Sequence, residues 1–263
     1  MNQTIHATAL VDQSARLGEG VVVGPYAVIE KDTDIGAGTV IGPHVVVYAH
    51  TRIGKACRVH AGAVIGDAPQ DLAYEGAETF LEIGDSCTIR EGVTLHRGTK
   101  PGTCTRVGNH CFLMANSHVA HNVTLGDGVI LANGVLLGGY VEVGDRAFIS
   151  GNAVVHQFCR VGRVAMISGC AGLSKDLPPF CVMHGAAINR ISGLNVVGMR
   201  RAGLSSDDRL AVKRAFAMLF RSGLNTRQAV EQMREAFPSG PAAELWQFAE
   251  HAQRGICVMG TEA

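Results

Sequence analysis

The 263-residue chain is short of aromatic side chains, with nine Phe, four Tyr and one Trp. A large core must therefore be filled mainly by Val, Ile, Leu and Ala. The chain also lacks an excess of either charge, with 23 Lys and Arg against 23 Asp and Glu. That balance excludes a nucleic-acid-coating protein, whose affinity rests on many cationic contacts to phosphate. No apolar run approaches the roughly 18 residues of a membrane span. The start, Met1-Asn2-Gln3-Thr4, has no basic stretch followed by an apolar one, so no signal peptide is expected. The eight Cys form no CxxC pair and no zinc-ribbon spacing. These features together point to a reducing, cytoplasmic setting. With 47% apolar and only 17% charged residues, disorder is excluded. Glycine is in excess, at 33 residues, but it follows no three-residue period, which excludes collagen.

The glycine excess belongs to a repeat. From Ile5 to Ile65 every sixth residue is aliphatic, through Val11, Leu17, Val23 and onward. The pattern resumes at Ile83, Ile89 and Leu95, and again from Val107 to Ile167. All 25 of these positions are Ile, Val or Leu, and Gly follows 12 of them. The fifth position of each hexad is small or β-branched, as at Ala9, Ala15, Val21, Thr33, Ala63, Val129 and Ala153. This is the hexapeptide signature of a parallel β-helix. Each hexad makes one flat side, and three make a triangular coil of 18 residues. The aliphatic and small residues point inward, and coils stack at roughly 4.8 Å. Cys57, Cys87, Cys111 and Cys159 fall on the inward fifth position, where a free thiol behaves as a small hydrophobe.

Two excursions interrupt the hexads, near 68–80 and near 98–106. Loops leaving a rigid scaffold are where binding concentrates. The expected β-helix therefore occupies residues 1–185, and an α-helical C-terminal domain occupies 186–263. In that tail Ser205-Ser206-Asp207-Asp208 reads as a capped helix start and Gly223 as its stop. A second helix is expected from Asn225 or Thr226 to Phe237, and a third over about 241–254. Residues 1–185 carry 13 basic and 16 acidic side chains, whereas 186–263 carry 10 and 7. The basic excess is concentrated in 190–227.

A filled triangular prism has no pocket of its own, so a small-molecule site must come from its loops or from a neighbouring copy. Polar residues that break the hexad rule mark where to look. His6, His60, His96 and His156 replace the Gly of the second position, and His118 and His121 lie close together. His6 and His60 read as solvent-facing turn residues. His96, His118, His121 and His156 are spaced to line one edge of the prism in neighbouring coils. Two chemistries suit such a row. A neutral imidazole can act as general base on a hydroxyl that attacks a thioester. Alternatively, three imidazoles can hold Zn²⁺ and activate water, as in hexapeptide carbonic anhydrases.

Several ordered segments carry a resemblance over nearly the whole chain. They are Pro69-Gln70-Asp71-Leu72, Ile89-Arg90-Glu91, Leu95-His96-Arg97-Gly98-Thr99, His118-Val119-Ala120-His121, Val155-His156-Gln157-Phe158 and Gly193-Leu194-Asn195-Val196-Val197-Gly198-Met199-Arg200-Arg201. In these the sequence resembles the acyl-(acyl-carrier-protein)–UDP-N-acetylglucosamine O-acyltransferases that begin lipid A biosynthesis in Gram-negative bacteria. The resemblance implies a left-handed parallel β-helix with a helical C-terminal domain, assembled as a homotrimer, with no cofactor and no resident metal. It implies that His121 is the general base and that the Gly139 N–H is the oxyanion donor. It places Asp71, His96, His118, His156 and Gln157 around the sugar-nucleotide and acyl site, and Asn195 and Arg201 on the nucleotide. Gly169 matches the position that limits acyl length, and Gly there implies a chain longer than ten carbons. The basic tail suits an acidic acyl carrier protein, chiefly by steering its approach. Four residues depart from the family pattern: Ala73 for Lys, Val197 for an acidic residue, Tyr140 for His and Asn122 for Asp. They leave open a 3-amino or other UDP-sugar as acceptor.

Overall fold

A computed structural model describes residues 3–185 and 188–260. Each hexad contributes one short strand, usually of two residues, such as Val22–Val23 or Val28–Ile29. The strands stack in parallel into three sheets, one for each side of a triangular prism. The first face opens with Thr4–Ile5, the second with Leu10–Val11 and the third with Arg16–Leu17. The coil is a left-handed parallel β-helix.

The register records the repeat and its interruptions. Strand partners lie one 18-residue coil apart where hexads are continuous, as for Val46 and Val64. The next step on that face, Val64 to Thr94, spans the first excursion, and Thr94 to His118 spans the second. From His118 the partner is Leu136, one plain coil on. Both excursions leave the corner between the second and third faces, in successive coils. The first separates strands Val64–Asp67 and Phe80–Ile83. The second is confined to 97–103, because Cys104–Val107 is already paired to Phe80–Ile83.

The aliphatic position is buried in every coil beyond the first, from Val23 to Ile167. Ile5 is exposed because no coil lies beneath it. Gly at the second position follows from close approach: a Cβ on Gly36 would stand 2.6 Å from the Gly54 carbonyl carbon in the next coil. The inward cysteines are buried and unpaired. Cys57, Cys87 and Cys111 each donate to a carbonyl of the following coil at 3.1–3.2 Å. A hydrogen bond given by the Cys87 thiol to Cys111, together with burial, pushes Cys87 up to about 12, and burial pushes Cys159 up to about 11. Cys87 and Cys159 are thus structural filler rather than nucleophiles.

The outward residues differ between faces. The third face carries a ladder of opposite charges, with Arg16–Asp34 at 3.1 Å, Arg52–Glu82 at 3.9 Å and Arg106–Glu82 at 3.3 Å. The first face instead presents Val22, Val40, Ile130 and Phe148, and the second Leu10, Val28, Leu136 and Val154.

Beyond the prism the chain does not turn helical at once. Arg190–Leu194 first adds an antiparallel strand against Cys181–Met183, with Ile191 buried beneath it. Helix α1 then spans Val196–Arg201, α2 Ser206–Arg221, α3 Thr226–Ala236 and α4 Ala243–Glu250. Ser205 and Asp208 close a capping box on α2, and Asn225 and Gln228 another on α3. α4 is shorter than the sequence pattern implies. Its N-terminus has no side-chain cap, and the chain leaves it to place Val258–Met259 beside Arg190–Leu194. Among the described residues, no helix is long and apolar enough to cross a membrane.

Candidate active site

The corner between the second and third faces gathers the histidines. His96 ends the second-face strand Thr94–His96, His121 follows His118–Val119, Gly139 follows Leu136–Leu137, and His156 follows Val154–Val155. Four consecutive coils thus present one residue each to the same edge. His6 and His60 follow first-face strands and lie on a different edge. Stacking therefore separates the histidines the hexad rule singled out into two groups.

A shallow groove of ≈ 380 Å³ runs along this edge, lined by Gln70 from the first excursion together with His118, His121, Gly139, His156 and Gln157. Leu136 and Val154 form its apolar floor and are nearly half exposed. A larger hollow of ≈ 570 Å³ lies between the third face and α4. There Arg160 is paired with Asp176 and Arg163 with Glu244, so neither guanidinium is free for a ligand.

His96 stands edge-on to His118 with ring centres 4.9 Å apart. The Thr94 hydroxyl meets His118 Nδ1 at 2.7 Å. Burial, with His96 and His121 adding to it, pushes His118 down to about 4. Burial also lowers His96, against the pull of Asp67. Both rings are therefore neutral at pH 7. The unfolded chain takes up these protons near pH 6.5, and the folded chain only at lower pH. Folding stability should thus fall as the pH drops from about 6.5 to 4. Urea midpoints at pH 7 and pH 4.5 test this. A His118→Gln variant should lose less stability between them than the parent, and an equal loss would contradict the assignment.

His121 is half-buried, and its Nδ1 lies 3.1 Å from Asn122 Oδ1. The Thr99 backbone N–H donates to the same oxygen at 3.0 Å, as does the Thr99 hydroxyl. Two donors at one amide atom identify it as the oxygen, so His121 Nδ1 must carry its proton. Nε2 is then the free lone pair of the neutral ring. Gly139 sits against that side. A Cβ built there would lie 2.4 Å from His121 Cε1 and 2.5 Å from Nε2, so only Gly leaves the ring in place. Among the described residues no protein group accepts the Gly139 N–H. Tyr140 packs edge-on to His121 at 5.3 Å and stacks on Phe158 at 5.0 Å.

Not every residue singled out from sequence reaches this groove. Asp71 is next to Gln70, and its carboxylate accepts the Ala73 N–H. Gly169 lies on the corner between the first and second faces, where a methyl would meet Gly151 O at 3.4 Å and Ser150 Cβ at 4.0 Å. Asn195 caps α1: its oxygen accepts from Gly198 N–H and its amide donates to Val164 O, both at 2.8 Å. Arg201 is exposed at the end of α1. Sequence reasoning gave no role to Thr99, Phe158 or Gln70. Asn122, Tyr140 and Phe158 are 18 residues apart, so coil periodicity alone would have stacked them. Among the described residues no three His, Cys, Asp or Glu side chains are grouped to hold a metal ion.

Comparison with known proteins fits this geometry. Residues 176–257 match the family model described as UDP N-acetylglucosamine O-acyltransferase, domain 2. Residues 14–49, 32–67 and 104–139 match the bacterial transferase hexapeptide model. Acyl-(acyl-carrier-protein)–UDP-N-acetylglucosamine O-acyltransferase from Halorhodospira halophila is 46% identical over 96% of this chain and 98% of its own. The Janthinobacterium enzyme of that name is 45% identical with the same coverage. Among solved structures, LpxA from Acinetobacter baumannii is 40% identical with a TM-score of 0.89, covering 96% of this chain and 98% of its own. The Francisella novicida UDP-N-acetylglucosamine acyltransferase is 34% identical with a TM-score of 0.94, covering 98% and 95%. The chain belongs to the acyl-(acyl-carrier-protein)–UDP-N-acetylglucosamine O-acyltransferase family.

Proposed function

We propose that the chain transfers a 3-hydroxyacyl group from acyl carrier protein to the glucosamine 3-hydroxyl of UDP-N-acetylglucosamine, the first step of lipid A biosynthesis. The observation that carries this reading is the free Nε2 side of His121 packed against Gly139 in one groove, with no acceptor for the Gly139 N–H among the described residues. The 3-hydroxyl oxygen attacks the thioester carbonyl while His121 Nε2 takes its proton. The Gly139 N–H donates to the oxyanion, an interaction worth about 2.7–4 kcal/mol in comparable sites. Collapse breaks the carbon–sulfur bond, and the leaving thiolate takes the proton back from the imidazolium. Asn122 carries no charge to hold that imidazolium, which favours the proton's return.

A homotrimer would complete the site. The first and second faces are mostly apolar outside the prism, Arg58, Thr88, Thr94 and His118 apart, and the third is charged, so burying the first two between copies removes apolar surface from water. The groove borders the second face, so a neighbouring copy would lie along it. Asp71, Asn195, Arg201 and Gly169 are away from the groove of one chain and would meet the substrates across that boundary. Arg201 suits a diphosphate by its forked donors. Gly169 leaves room for an acyl chain longer than ten carbons. The exposed Arg200, Arg214, Arg221 and Arg227 suit an acidic carrier protein. Light scattering should then give three times 27.7 kDa. The place of action would be the cytoplasm, with no nucleic acid or membrane insertion involved.

Ala73, Val197, Asn122 and Tyr140 make acceptor identity the point to test. UDP-N-acetylglucosamine and its 3-amino analogue should be assayed side by side with the same thioester. The expected product is an alkali-labile ester on UDP-N-acetylglucosamine. Exclusive amide formation on the amino analogue would move the assignment to the N-acyl reaction. Stoichiometric zinc required for turnover would favour the carbonic anhydrase-like chemistry instead.

A further inference from the structure

We propose that Thr99, on the second excursion, is a positioning residue that selects which imidazole nitrogen of His121 is the base. This rests on His121 acting as general base. Thr99 spends both of its donors on one atom, with its backbone N–H and its hydroxyl each 3.0 Å from Asn122 Oδ1. Its hydroxyl also lies 3.1 Å from the Tyr140 hydroxyl. With the Thr99 proton pointed at Asn122, Tyr140 donates to Thr99 Oγ1. The chain of donors then runs from Tyr140 to Thr99 to Asn122 Oδ1, where it meets the donor Nδ1–H of His121.

The arrangement is over-determined. Asn122 is also held by its backbone N–H, which donates to the buried Thr105 hydroxyl at 2.7 Å. Its backbone is in the left-handed region, at φ 60°, which Asn tolerates better than most residues. The peptide is therefore fixed, and only the amide can turn. Turning it would set the Asn122 NH₂ against the Thr99 N–H, donor against donor, and would ask His121 Nδ1 to become an acceptor. The proton would then move to Nε2, the nitrogen beside Gly139, and the base would be lost. A carboxylate at 122 would have two equivalent oxygens and would not need this control. Because this chain has Asn there, the orientation must be imposed, and Thr99 is the residue that imposes it. The second excursion is thereby tied to the chemistry through a side chain that need not touch the substrate.

The test combines Thr99→Val with Thr99→Ser. Val keeps the shape and backbone N–H but removes the hydroxyl, whereas Ser restores the hydroxyl. Thr99→Val should lower kcat roughly three- to tenfold, the size expected for losing one neutral hydrogen bond of the chain, and leave KM unchanged. Thr99→Ser should return kcat to the parent value. Nitrogen-15 spectra of the His121 ring should show Nδ1 protonated and Nε2 bare in the parent, with a minor share of the other form in Thr99→Val, where the backbone N–H alone still opposes the turned amide. A parent ring protonated on Nε2, or a Thr99→Val variant with unchanged kcat and unchanged ring spectrum, would overturn the proposal. His121→Ala in the same assay separates the two readings. If transfer survives that change, the general base is wrong whatever Thr99 does. If transfer is lost while Thr99→Val is silent, only the positioning role fails.

Discussion

His121→Ala is expected to lower acyl transfer by about 10²–10⁴-fold, the usual contribution of a positioned general base. The prism should survive it. His121 sits on a corner outside the filled interior, half-buried, and its ring contributes one edge-on contact to Tyr140 and one hydrogen bond to Asn122. Thermal melting and mass in solution should match the parent, while the rate with carrier-bound thioester collapses. His156→Ala on the same edge gives the comparison. His156 is exposed, and its Nδ1 meets only the neighbouring Gln157 carbonyl at 3.1 Å. Its loss should weaken substrate binding more than it lowers kcat. A His121→Ala enzyme that retained parental kcat would refute the mechanism.

Gly139→Ala is expected to be nearly as damaging, although it adds only a methyl. The 139 backbone is not left-handed, so Ala meets no conformational strain there. Its cost lies in the contacts 2.4 and 2.5 Å from the His121 ring. The imidazole must swing away from the groove, which separates the base from the oxyanion donor. A fall of about 10²–10³-fold in kcat is expected, comparable to losing an oxyanion donor. The neighbouring glycine behaves differently. At Gly138 a Cβ would stand 2.7 Å from the Gln157 backbone nitrogen, so Gly138→Ala should destabilise the coil instead. The double variant His121→Ala/Gly139→Ala isolates the route. With the ring gone, the methyl has nothing to displace, so the double should be little slower than His121→Ala alone. Fully additive losses would mean that Gly139 acts independently of the ring.

The prism was legible from the sequence because its two inward positions repeat without exception over long stretches. Leu113, Leu131 and Ile149 could only be stacked aliphatics, and all three are fully buried. The strand Arg190–Leu194 was not legible. It follows the last hexad, reverses direction and offers one buried residue, Ile191, too little for a period to register. The histidine edge was legible as an arrangement because one coil lengthened by the second excursion separates His96 from His121, and nearly two plain coils separate His121 from His156. The tautomer of His121 was not, since it depends on Thr99 crossing from an excursion whose path no periodicity fixes. Asn195 carries a similar lesson. Its motif suggested a nucleotide contact, yet in the chain by itself both ends of its amide are engaged in capping α1 and holding Val164.

The structure of the reaction product distinguishes acyl transfer to a sugar nucleotide from every other chemistry this groove could perform. Purified protein, 3-hydroxyacyl carrier protein and UDP-N-acetylglucosamine should be incubated, and the nucleotide fraction analysed by mass spectrometry and proton–carbon correlation. The expected product carries one added 3-hydroxyacyl group, as an ester on the glucosamine 3-oxygen, and is absent when His121→Ala replaces the parent. No acylated sugar nucleotide from the parent, or the same ester formed at the parental rate by His121→Ala, would contradict it.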